Sequence, residues 1–277
     1  MIDPEVLLYY NQGREQDRLR DARRSVEYHR TFDILRRHLP LAPAAVLDVG
    51  GGPGIYALAL AAAGYDVALV DPVPLHVEQA RQASAAAGRP LTAVETGDAR
   101  ALDWPDGSFD AVLLLGPLYH LVESRDRQRA WAEARRVLRP GGLVVAAGVC
   151  RYYTTWEMFS NGKMALPGAE DAVAAHVTTG QHRNPGRDFE RLFTTAYFHA
   201  PRELTAEATG AGLRVRALLA VEGPAKLLPD LGQRMQADDT RGQILRALRR
   251  LEAEPSILGT SEHILVVAST TTERASR

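Results

Sequence analysis

One cysteine, Cys150, is all that the 277 residues contain, so no internal disulfide can form. Its place after the apolar run 143–149 reads as a buried bystander in a reducing compartment rather than a catalytic thiol. Charge of one sign is missing as well: 33 Lys and Arg stand against 34 Asp and Glu, a formal net charge of −1. Without a basic excess there is no field to hold a phosphate backbone, and nucleic acid is excluded as the expected partner. Long hydrophobic runs are absent too. Gly, Asp or His interrupts each of them well before the roughly 20 residues that a spanning helix needs, and no basic and apolar leader opens the chain. These absences predict a soluble, cytoplasmic protein with no membrane partner. Oligomeric state leaves no mark in the sequence.

What is present is alternation. Residues 45–49, 67–70, 91–94, 111–115 and 143–149 read as strands, with helical patterns between most of them, which predicts βαβ units and a mainly parallel sheet. Residues 1–40 are charged and amphipathic and predict two helices placed as a lid ahead of the core, which occupies 41–150. From 151 to 201 the periodicity fails. Tyr152, Tyr153, Trp156, His176, His182, Phe193, Tyr197, Phe198 and His199 are scattered there among Gly, Asn and Pro, as expected of an insertion that shapes a substrate pocket. His176 stands alone and reads as a surface or cap residue. The core resumes over 202–277, with a helix at 203–210, a strand at 213–221, a helix at 240–252 and a last strand at 262–268.

The stretch V-L-D-V-G-G-G-P-G, residues 46–54, crowds four glycines between a strand and a helix, so a ligand must approach that backbone closely. A dinucleotide fingerprint would read G-x-G-x-x-G. Here Gly50, Gly52 and Gly54 lie two apart, and Ile55 occupies the place of the third dinucleotide glycine. Asp48, two residues ahead, would sit badly beside a pyrophosphate; it suits a ligand bearing an ammonium and a sulfonium charge. The second strand ends in V-A-L-V-D at Asp71, the third closes with Gly97-Asp98-Ala99-Arg100, and the fourth runs into L-L-L-G-P-L-Y-H-L.

In order and spacing these landmarks resemble the class I S-adenosylmethionine-dependent methyltransferases, in the branch with L-L-L-G-P-L-Y-H-L after the fourth strand. The resemblance implies a Rossmann-like sheet of seven mainly parallel strands with helices on both faces, an N-terminal helical lid and an insertion after strand 5. The last strand, H-I-L-V-V-A, would run antiparallel. It also implies S-adenosylmethionine as cofactor and S-adenosylhomocysteine as product. Gly50, Gly51, Gly52 and Gly54 would approach the methionine and ribose portions with Asp48, Asp71 and Pro72 would take the ribose, and Gly97, Asp98, Ala99 and Arg100 would surround the adenine. Tyr10, Arg18, Arg30 and Thr31 of the lid would close over it.

Methyl transfer from a sulfonium is an in-line displacement, so alignment and exclusion of water can supply most of the catalysis. Leu115, Gly116, Tyr119 and His120 follow the fourth strand, where open α/β sheets bind ligands. His120 is therefore the first candidate for a cofactor contact or a general base titrating near neutral pH, and His182 and His199 of the insertion come next. Tyr119, Tyr152, Arg183 and Tyr197 are the candidates for holding the acceptor, a small molecule or natural product methylated on O or N. Gly116 and Leu118 break the pattern of nucleobase N-methylating relatives. No acidic cluster at the strand ends is suited to a divalent cation, so no metal is expected. Two further readings stay open on the residues alone: a non-catalytic S-adenosylmethionine-binding protein, and an NAD(P)-dependent oxidoreductase.

Overall fold

A computed structural model describes residues 3–19, 21–184 and 193–271 of the chain. Among the described residues three helices precede the sheet, α1 (Pro4–Tyr10), α2 (Glu15–Arg18) and α3 (Ser25–His38), where the periodicity predicted two. The Asp3 carboxylate accepts from the Glu5 amide at 2.8 Å and so caps α1, with Pro4 at the first position, where a missing N–H leaves no bond unmade. α3 presents Ile34 and Leu35 to the core with no exposed surface, a burial that stabilises by roughly 1.5–3 kcal/mol per side chain.

The core alternates β1 (Ala45–Val49), α4 (Ile55–Ala62), β2 (Asp66–Asp71), α5 (Pro74–Ala86), β3 (Ala93–Thr96), β4 (Phe109–Leu114), α6 (Ser124–Val137) and β5 (Leu138–Val149). After β5 come α7 (Arg151–Ser160) and α8 (Ala169–Thr179), then the short paired strands β6 (Gln181–His182) and β7 (Ala196–Tyr197). The chain returns to the core through α9 (Pro201–Gly210), β8 (Arg214–Ala220), α10 (Leu231–Gln236), α11 (Asp238–Leu251), α12 (Pro255–Leu258) and β9 (His263–Ser269). Seven strands form one sheet in the order β3-β2-β1-β4-β5-β9-β8. β9 runs antiparallel to both of its neighbours, so the last strand of the chain is inserted beside the sixth of the sheet.

Side chains alternate between two apolar layers, as the pleat requires. Leu47, Val70, Val112 and Val144 meet α6 and α9 at Trp131, Ala134 and Leu204 on one face. Val46, Leu69, Leu113 and Val145 meet α3, α4 and α5 at Ile34, Leu60 and Ala80 on the other. Both faces are covered, which is why these strands read as continuous apolar runs. Among the described residues no helix is long and apolar enough to cross a membrane. Cys150 is fully buried, and burial pushes its thiol up.

The segment expected to lack regular structure instead holds two helices. α7, R-Y-Y-T-T-W-E-M-F-S, turns Tyr153, Thr154 and Met158 inward while Trp156 and Phe159 face solvent. Its apolar residues therefore make no single stripe, and the helical period is masked.

Candidate functional site

A cavity of about 330 Å3 opens at the carboxyl ends of β1 to β4, where such sheets place their ligands. Gly50, Gly51 and Gly52 follow β1, Pro72 and Val73 follow β2, Asp98, Ala99 and Arg100 follow β3, and Leu115, Gly116 and Pro117 follow β4. Tyr10, Arg18 and Leu19 of the leading helices cover it, and Arg183 reaches it from beyond β6.

The glycine turn is held to β2. Gly50 N–H donates to the Val70 carbonyl at 2.7 Å, and Gly52 N–H to Asp71 Oδ2 at 2.8 Å. Gly50 and Gly52 have φ of +68° and +57°, a region open to glycine. A Cβ on Gly51 would stand 2.8 Å from Asp48 Oδ2, so the turn lies directly over that carboxyl group.

Asp48 is buried, and its Oδ2 has no hydrogen-bond partner among the described residues. Burial first, and the nearby Asp71 carboxylate second, lift it to about 7, opposed by the Ala57 backbone amide. His120, in the 3-10 turn Pro117–His120, packs edge-on against Tyr10 and Tyr119 and lies beside Phe193. Its Nε2 lies 2.7 Å from the Tyr10 hydroxyl. Burial lowers the imidazole to about 4 although Asp71 and the Thr195 backbone favour its charged form. The expectation of a base titrating near neutral pH is thereby corrected, because the ring has exchanged water for aromatic neighbours.

A second cavity, of about 390 Å3, adjoins the first and shares Tyr10, Glu15, Arg18 and Tyr119 with it. Tyr153, Thr154, Glu157 and Lys163 line it from α7 and the turn beyond, with Phe193, Phe198, Lys226 and His263. Tyr9, Arg23 and Arg24 lie on its N-terminal side.

Several residues singled out in the sequence stand elsewhere. Arg30 is buried, pairing with Glu252 and donating to Asp33 Oδ2 at 2.8 Å and to the Val221 carbonyl at 3.2 Å, so it ties α3 to the core away from both cavities. Thr31, buried beside it on α3, lines neither cavity. His182 is buried between His176 Nε2 at 2.7 Å and the Phe193 carbonyl at 3.0 Å. That carbonyl takes the Nε2 proton, leaving Nδ1 to accept from His176. The pair is a strut between α8 and the paired strands, not a base at a cavity. His176 is accordingly buried rather than a surface cap, and burial lowers it to about 3.

His199 is fully buried under Gly148, with Nε2 3.5 Å from Glu207, and burial lowers it. Tyr197 stacks under Arg127, whose guanidinium carbon lies 3.6 Å from its ring centre, and donates to Glu203 at 3.1 Å. Tyr152 is exposed and packs near Gly259; the helix phase turns Tyr153 inward instead. Gly54 lines neither cavity and starts α4 in the left-handed region, while at Gly97 a Cβ would strike Val70 at 2.5 Å. Asp71 is buried behind the glycine turn, and Asp98 is held by Arg100, which also donates to Asp126 at 2.7 Å. Of the residues the structure adds, His76, five after Asp71, reads in sequence as one more polar position of a helix.

Between the two cavities, Glu27, Glu222 and His263 bring ligand-type atoms within 4.8 Å of one another. Their charges are already matched. Arg18 holds Glu27 with two hydrogen bonds of 2.7 and 2.8 Å, Lys226 lies 3.8 Å from Glu222, and His263 Nδ1 donates to Glu222 at 2.6 Å. Burial opposes the charge on His263, but Glu27 and Glu222 outweigh it and raise the ring to about 9. The cluster is an ion network closed by its own cations.

Residues 46–142 match a family described as a methyltransferase domain. Over 188 residues the chain is 32% identical to a ubiquinone biosynthesis O-methyltransferase of Methylobacterium nodulans, covering 65% of this chain and 64% of that protein. It is 40% identical over 170 residues to an uncharacterized methyltransferase of a Mycobacterium species, covering 60% and 62%. The chain thus spans just under two thirds of the length of these curated relatives. Among solved structures, a methyltransferase of Methanosarcina mazei superposes with a TM-score of 0.60 at 18% identity, over 87% of this chain and 98% of that one. One of Thermotoga maritima gives 0.59 at 16% identity, over 96% and 99%. These last two are likenesses of fold.

Proposed function

We propose that this chain is, through its core, a class I S-adenosylmethionine-dependent methyltransferase and that it methylates an oxygen or nitrogen atom of a small molecule. The observation that carries this reading is the meeting of two cavities at Tyr10, Glu15, Arg18 and Tyr119. One holds the groups suited to the cofactor, and the other, walled by aromatics and polar side chains, suits a medium-sized acceptor.

The residues present fit the cofactor. Asp48 offers a buried, unpartnered carboxylate oxygen to a cationic ligand, the glycine turn leaves room for close approach, and Ala99 with Asp98 borders the adenine side. Bound there, the cofactor supplies an electrophilic methyl group on a sulfonium. The chain's own share is alignment, exclusion of water under α1 and α2, and disposal of the acceptor's proton. A neutral His120 accepts from Tyr10, and Tyr10 stands at the junction of the cavities, so an acceptor hydroxyl or ammonium has a path for its proton through the phenol to the imidazole. The likeness to the ubiquinone biosynthesis O-methyltransferase makes phenolic oxygen the first acceptor to try. Incubation with S-adenosylmethionine carrying an isotope-labelled methyl group, against phenols, amines and carboxylates, should give a labelled product by mass spectrometry. A protein that binds the cofactor and labels none of them would favour a sensor or scaffold instead.

A further inference from the structure

The Asp71 carboxylate ends β2, where the family resemblance puts ribose recognition, yet it does not line the cavity. Oδ2 accepts from Gly52 N–H at 2.8 Å and Oδ1 from Val73 N–H at 2.9 Å, with His76 Nδ1 3.2 Å from Oδ1. His76 lies in the first turn of α5 and does line the cavity. Its side chain is 3% exposed, and its Nε2 is buried with no hydrogen-bond partner among the described residues. A carboxylate facing two amide donors has no proton to give, so the proton of the His76–Asp71 contact sits on Nδ1. On a ring carrying that one proton the other nitrogen offers a lone pair, buried beside the glycine turn, with the ring centre 5.1 Å from that of Tyr10. A buried acceptor without a partner calls for a donor from a ligand.

We propose that His76 Nε2 accepts a hydrogen bond from a ribose hydroxyl of the cofactor, with Asp71 as the positioning residue that fixes the ring tautomer. The assignment rests on the reading of this cavity as a site for S-adenosylmethionine. It places the recognition between the glycine turn, on the methionine side, and Asp98 and Ala99, on the adenine side. Asp71 then acts on the ribose through the imidazole and on the turn through Gly52.

The test is a binding cycle by calorimetry, using S-adenosylhomocysteine and its 2′-deoxy and 3′-deoxy analogues against the wild type and His76→Leu. The wild type should lose about five- to tenfold in affinity when one of the two hydroxyls is removed, the effect of one net hydrogen bond. His76→Leu should lose the same factor with the intact ligand and be indifferent to that deoxygenation. Equal affinity of the wild type and His76→Leu for S-adenosylhomocysteine overturns the assignment, as does an undiminished penalty for deoxygenation in the variant. Ring 15N resonances of the wild-type complex give a check that needs no variant to fold: the Nδ1–H tautomer is required, and the Nε2–H tautomer contradicts it. A wild type that does not bind S-adenosylhomocysteine removes the cofactor reading, and this assignment with it, whereas binding with an unaffected variant removes the assignment alone.

Discussion

At the scale of single residues, Asp48 combines a buried, unpartnered oxygen with a carboxyl group lifted to about 7. Below that pH it is neutral and has nothing to offer a cation, and above it the carboxylate is available. The affinity for S-adenosylmethionine should therefore weaken on acidification, by up to about tenfold per unit below pH 7. Asp48→Asn should flatten this dependence and bind at pH 8 only as well as the wild type does at pH 6. Calorimetry across that range checks it, and a pH-independent wild-type affinity speaks against the role. His120 behaves in the opposite way. Lowered to about 4, it is neutral across the working range, so the rate at saturating cofactor should be flat above about pH 5. His120→Ala should lower that rate by roughly a hundredfold to ten-thousandfold if the Tyr10–His120 path carries the proton. A variant with unchanged turnover and weaker cofactor binding would make His120 a binding group. Asp48 was legible in the sequence because an acid at the end of a buried strand has few bland uses. His76 was not, since a histidine in the first turn of a helix looks like any polar position until its neighbours are placed.

At the scale of elements, the central strands β1, β2, β4 and β9 were readable because they are buried on both faces, so their apolar runs carry a signal independent of tertiary detail. The leading helices were readable in kind but not in docking. Arg30 illustrates the difference. From the sequence it is a lid arginine free to meet a carboxylate; in the structure it is 1% exposed and clamped by Glu252, Asp33 and a carbonyl of the chain after β8. Arg30→Ala removes one partner of a buried pair, which should cost about 3–5 kcal/mol of stability by urea denaturation, with cofactor affinity of the folded protein unchanged. A stable variant with weakened cofactor binding would restore the lid role. The histidines after β5 were misread for a related reason. Aromatics and imidazoles among Gly and Asn suggest a pocket wall, but sequence cannot show that His182 finds its partners inside its own layer or that His199 is sealed under Gly148, nor which side of α7 faces in, and so Tyr153 replaces Tyr152 at the cavity.

At the scale of the molecule, the ion network of Arg18, Glu27, Glu222, Lys226 and His263 joins the leading helices to the start of β9 and lies between the two cavities. Its histidine is raised from 6.5 to about 9 on folding. A group raised in this sense contributes stability that is whole below pH 6.5 and is lost as pH rises through about 9. Unfolding free energies should accordingly fall by a few kcal/mol between pH 7 and pH 10, and a level profile over that window would show that the network is not coupled to folding. No pairwise motif in the sequence announces this cluster, because its members come from α2, α3, the chain around β8 and the start of β9.

The account as a whole depends on the cavity beside the glycine turn being a cofactor site. Titration calorimetry of the folded protein with S-adenosylmethionine and S-adenosylhomocysteine tests that most directly. The expected result is one site per chain with micromolar affinity for both, about −8 kcal/mol, and no binding of NADH or NADPH. Absence of heat and of any thermal stabilisation with either sulfur ligand, in a sample shown to be folded, would contradict it.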